Sequence, residues 1–199
     1  TGEERWLSEH TVNIKSVPTH TAPNLVAYEN VVLFSAGPGT VVSMAAENGK
    51  TLWSDKHGTS GHQSTFDLLV ANGLVWSNVG TSGRRAKQAP GTPRKKAWTY
   101  AGRDPVTGET KVEFPPDSDA FWFHHRCHRG RATSNYLLMS RTGIEYIDIN
   151  AEVGHWMPHH WIRGACIYGI MPANGLTYAP PHSCACYIES KLNGFNAVT

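Results

Sequence analysis

Apolar residues along the chain come in short runs, each cut by a small polar turn. "NLVAYENVVLFS" (24–35) is two such runs around Glu29-Asn30, and "FDLLVANGLVWS" (66–77) is two around Ala71-Asn72-Gly73. "NYLLMSRTGIEYIDI" (135–149) repeats the plan through Arg141-Thr142-Gly143, and "YGIMPANGLTYAP" (168–180) through Ala173-Asn174-Gly175. The runs are too short for helices, and Asn-Gly pairs supply the positive φ that a tight hairpin needs, so each predicts a hairpin of two inner strands. A third strand follows, clearest in "TVVSMAA" (40–46). The chain is predicted to be all-β, with almost no helix.

A longer period runs above this texture. "ENGKTLW" (47–53) is a Gly-containing turn, a charged residue, and an aromatic that starts a fourth strand; "TGEERW" (1–6) has the same plan, and "VTGETKVEF" (106–114) repeats it with Phe114. A looser copy, "INAEVGHW", ends at Trp156, and "KLNGFNAV" brings Phe195 near the last residue. Anchors at Trp6, Trp53, Phe114, Trp156 and Phe195 recur every ~40–60 residues, the spacing of a four-stranded propeller blade. The boundaries that follow are 7–53, 54–114, 115–156, and 157–199 joined by 1–6, in a single domain.

"VVLFSAGPGTVVSMAAENGKTLW" resembles a blade of the PQQ-like propeller repeat, the family of quinoprotein dehydrogenases and BamB-type assembly factors. The resemblance implies a β-propeller of four-stranded antiparallel blades in which Trp6, Trp53 and Trp156 pack structurally between neighbouring blades. The later stretches "HHRCHRGRAT", "WIRGAC" and "MPANGLTYAPPHSCACY" are similar to propeller proteins of planctomycete-type bacteria, a likeness that carries no activity with it. "TGEERW" reads as an outermost strand without its inner partners, and "GFNAVT" as a third strand without its fourth. About four blades are then part of a larger ring or half of an eight-bladed homodimer, in preference to a closed monomer, because open sheet edges need cover.

Composition narrows the partners. A net charge of +2 gives no reason to invoke nucleic acid, and no run approaches the ~18 apolar residues of a membrane span. Four cysteines, Cys127, Cys166, Cys184 and Cys186, fit two structural disulfides and a periplasmic or extracellular setting. Cys127 with Cys166 is the first pairing to consider, since both precede inner strands of successive blades; other pairings stay open. The Cys184-Ala185-Cys186 spacing is not that of a zinc site.

The histidines supply the candidate chemistry. His20, His62 and His128 each precede the inner hairpin of a blade, and Arg163 lies in the related region of the fourth. Inner strands line a propeller's channel, so three neutral imidazoles there are a candidate set for a divalent transition metal. Protonated, and joined by His124, Arg126 and Arg163, they suit a carboxylate or sulfate. Water-filled polar lining is the structural alternative. The basic stretch 80–98 is an exposed loop that offers a second surface to an anionic glycan, and "WMPHHW" (156–161) invites sugar stacking.

Motifs for a nucleophile elbow, a phosphate loop, a zincin helix or haem attachment are absent from the sequence. No calcium set or catalytic aspartate supports PQQ itself. Two readings follow: an exported binding or scaffold module for a protein or anionic glycan, and an enzyme, a metal-assisted polysaccharide lyase or oxidoreductase, working through the channel histidines.

Overall fold

The computed structural model describes residues 2–11, 24–35, 39–57, 68–79, 99–114, 128–139, 143–159, 161–181 and 192–199. They form fifteen strands in four antiparallel sheets, and no helix occurs among them. Two compact units contain them, residues 1–59 with 66–115, and residues 60–65 with 116–199.

In the first unit, β1 (Asn24–Tyr28), β2 (Val31–Ser35), β3 (Gly39–Ala45) and β4 (Thr51–His57) pair in chain order. The next sheet, β5 (Leu69–Ala71), β6 (Leu74–Val79), β7 (Thr99–Arg103) and β8 (Thr110–Phe114), does the same. Positive φ at Asn72 and Gly73 turns β5 into β6, as their pairing in the sequence predicts. Val31, Leu33, Val41, Leu68 and Val75 form the buried core of this unit, with Trp53 half-buried against it. Alternation along β2 explains which side chains enter: Val31, Leu33 and Ser35 are buried, and the residues between them less so.

The two sheets share a register. Ser43 pairs with Trp53 and Gly102 with Val112, and each ladder shifts immediately afterwards, at Ser43/Met44 and at Gly102/Arg103. The turns beyond close alike: Ala45 donates to the Lys50 carbonyl and Gly49 to Ala45, while Asp104 donates to Glu109 and Gly108 to Asp104. Val112 therefore occupies the place of Trp53. The expected anchor Phe114 lies two residues farther on and packs within its own sheet, 5.9 Å from Trp76 and 5.8 Å from Tyr100 between ring centroids.

In the second unit, β9 (Arg131–Ala132), β10 (Tyr136–Met139), β11 (Ile144–Asp148) and β12 (Trp156–His159) make a four-stranded sheet. Its first hairpin is β9–β10, turning through Thr133-Ser134-Asn135, where the Thr133 hydroxyl receives the Tyr136 amide. "YLLMSRTGIEYID" thus joins the second strand to the third, a correction to the inner-hairpin reading. Trp156 pairs with Ile147 directly after the turn, in the place held by Thr51 rather than Trp53 in the first sheet. The last sheet has three strands, β13 (Met171–Ala173), β14 (Leu176–Ala179) and β15 (Asn196–Val198). Leu138, Ile144, Ile162, Ile170 and Ala179 are this unit's core, with Val198 packed on it.

Candidate functional site

The polar centre of the second unit is built around His128. Its imidazole is buried, and Nδ1 lies 3.0 Å from the Arg129 carbonyl, so the Nδ1 N–H donates there and Nε2 is the acceptor nitrogen of the neutral ring. Two glycines hold the ring. A Cβ on Gly164 would fall on Nε2, and one on Gly169 would come within 2.9 Å of Nδ1. Arg163, only 2% exposed, precedes Gly164 directly, which brings both described members of the candidate layer to one place. Glu145 on β11 is also fully buried in this unit, and Arg131 turns its guanidinium back to the Arg129 and Gly130 carbonyls.

His20 and His62 of the candidate metal set, His124 and Arg126 of the anion set, Cys127, Cys184 and Cys186, and the basic stretch 80–98 lie outside the described residues. Among the described residues no three His, Cys, Asp or Glu side chains converge as a metal cluster would require. A metal at His128 would have to use Nε2, which is packed on Gly164.

Beyond Gly164 the chain makes a tight excursion. Ala165 and Gly169 exchange backbone hydrogen bonds at 3.2 and 2.7 Å and close a tip of Cys166, Ile167 and Tyr168. Ile167 has φ 71°, a conformation that a β-branched residue rarely adopts. The tip shows its apolar groups to solvent: Ile167 is 67% exposed, Tyr168 78% and nearby-in-sequence Trp161 70%. Ile162 to Ala165, Gly169 and Ile170 between them are buried. Sequence reasoning missed this tip, although two glycines bracketing "ACIY" were the available signal. It also missed the sockets for the tryptophans.

Those sockets are in the first unit. The Trp53 indole N–H donates to the Pro105 carbonyl at 2.9 Å, and the Ser43 hydroxyl, from the paired strand, donates to the same oxygen at 2.7 Å. A Cβ on Gly108 would be 2.7 Å from the Trp53 ring. Arg103 lies with its guanidinium carbon 6.0 Å from the ring centroid and meets Asp55 at 2.6 Å. Trp6 repeats the joint one sheet earlier: its indole N–H donates to Ala46 at 2.9 Å, and its ring covers Gly49. Sheets in this unit are thus fastened by a tryptophan seated on a glycine of the next sheet's outer turn.

Among solved structures, the chain resembles the computationally designed Ika4 protein with a TM-score of 0.55 and 15% identity, covering 100% of this chain and 98% of that one. The fold is a β-propeller of four-stranded antiparallel blades. BamB from Moraxella catarrhalis also matches, at TM-score 0.46 and 12% identity over 80% of this chain and 42% of that one. So does the quinohemoprotein alcohol dehydrogenase ADHIIG from Pseudomonas putida HK5, at 0.47 and 14% over 94% and 25%. This propeller chain therefore spans less than half the length of those two proteins. No protein-family model matches it, and no curated protein does.

Proposed function

We propose that this propeller chain is a binding module and that it takes a protein partner on the tip Cys166–Tyr168 together with Trp161. The observation that carries the reading is the strained tip itself: a rigid, buried base of His128, Gly164 and Gly169 supports Ile167 at positive φ with Tyr168 open to solvent. Backbone strain of this kind is stored at ligand clamps and binding loops, where rigid aromatic anchors dominate contact energy. A mixture of aliphatic and aromatic exposed groups suits a protein better than a glycan, since sugars stack on rings and gain little from Ile167 or Met171.

An oxidising compartment, periplasmic or extracellular, belongs to the same reading and rests on the even set of four cysteines. The test is capture and identification of partners by the full chain from a periplasmic or secreted fraction, beside the Ile167→Ser/Tyr168→Ser variant. Specific loss of one protein partner with the variant supports the proposal. Undiminished capture, or retention on an acidic glycan column that the variant does not change, removes the tip from the binding surface.

A further inference from the structure

Residues 2–10 make the contacts of a fourth strand with the blade that follows, yet pair with no strand among the described residues. Gly2 has φ 76° and Trp6 follows it at the spacing that separates Gly49, φ 72°, from Trp53. Two residues beyond each tryptophan the match continues: Ser8 reaches Met44 Sδ at 3.3 Å, and Asp55 reaches Arg103 at 2.6 Å. Met44 and Arg103 hold the same place in their sheets, immediately after the ladder shift. His10 Nε2 then lies 2.8 Å from Thr51 Oγ1. Burial alternates along the segment, with Trp6, Ser8 and His10 half-buried and Leu7 and Glu9 exposed, as on a strand with one covered face.

The complementary gap is at β15. Its three residues pair with β14 and with no other strand among the described residues. Tyr178 pairs with Ala197 as Leu33 pairs with Ser43, each the third residue after its hairpin turn. Since Ser43 pairs with Trp53, the residue that would face Trp6 is Ala197, and the next pair, corresponding to Val42 with Ser54, is Asn196 with Leu7. Leu7 is 85% exposed and Phe195 64%, large apolar groups at both free edges.

We propose that two copies of the chain exchange these strands: residues 4–10 of one copy add to the β15 edge of the second, and reciprocally. Each copy offers one unhoused strand and one unfilled edge, so two copies satisfy each other in a closed two-fold arrangement and leave no open edge. Main-chain hydrogen bonds supply the affinity, as in other strand additions, and Leu7 and Phe195 lose water with them. The inference does not rest on the binding reading above, and its readout is mass rather than partner capture.

Light scattering on the full chain at micromolar concentration is expected to give twice 21.9 kDa. Oxidised Leu7→Cys/Asn196→Cys chain is expected to run as an interchain disulfide dimer that neither single variant forms. Removal of residues 1–10 is expected to halve the mass, with the far-ultraviolet dichroism of a β protein retained. A monomeric mass for the parent overturns the proposal. So does closure of the double variant's disulfide within one chain, or a dimer that survives loss of residues 1–10.

Discussion

The ring of Trp53 rests on the bare Cα of Gly108, at a glycine with φ 74° where a Cβ would come within 2.7 Å of the indole. Sterics and backbone conformation thus coincide on one residue. Gly108→Ala is expected to cost about 3 kcal/mol, of which the left-handed backbone contributes about 1–2 and displacement of the ring the rest. Gly73 is the internal control. It has φ 72° and nothing within 4 Å of its Cβ position, so Gly73→Ala should cost about 1 kcal/mol. Urea unfolding of the two variants separates the terms.

Trp53→Ala should cost about 3 kcal/mol, the lower end for a large aromatic because the ring is only half-buried. Trp53→Phe keeps a ring on Gly108 and loses the hydrogen bond to Pro105, and about 1 kcal/mol is expected. Near-ultraviolet dichroism alongside the melts will show whether the joint alone has loosened. Equal costs for Ala and Phe would place the stabilisation in the hydrogen bond rather than in the packing.

Arg103 and Asp55 are unequal partners. The arginine is buried and the carboxylate about half exposed. Asp55→Ala leaves a guanidinium under the Trp53 ring without that carboxylate and is expected to cost about 1–2 kcal/mol, reduced from a fully buried pair by solvent access. Arg103→Met should come within about 1 kcal/mol of the parent, because the preceding sheet already has Met44 at this place. Denaturant midpoints of the two variants decide between them.

Acid stability should depend on Asp104. Backbone hydrogen bonds from Thr107 and Val106 hold its carboxyl below the usual carboxylate range. A depressed folded value means that the contribution is fully present above the unfolded value near pH ~4 and is lost as pH falls through the folded one. Asp104→Asn should therefore lower stability at neutral pH and flatten the acid limb of the unfolding profile. A parallel downward shift at all pH values would show that the carboxyl acts without its charge.

Much of the fold was legible because the strongest local signals coincide with real turns. Asn72-Gly73 and Asn174-Gly175 both take positive φ, and the runs beside them are strands. The third sheet misled for a physical reason. Its first strand has two residues and turns without glycine through Thr133-Ser134-Asn135, whereas Gly143 looked like a hairpin glycine. Gly143 instead has the carbonyls of His159 and Ile162 where a Cβ would stand, so it serves close approach. Phe114 misled because an aromatic near a Gly-Glu turn matches the pattern in composition but not in spacing: Trp6 and Trp53 stand four residues after their glycines, and Val112 holds that position after Gly108. The burial of His128 between Gly164 and Gly169 was illegible, since contacts between distant segments leave no local period.

The tryptophan joint has a historical consequence. Each sheet carries its own plug on the fourth strand and its own socket on the turn before it, so a duplicated stretch of gene arrives with both halves of its fastening already matched. A lineage built this way gains or sheds whole sheets without first inventing a new interface, and the number of sheets becomes something selection can count in steps.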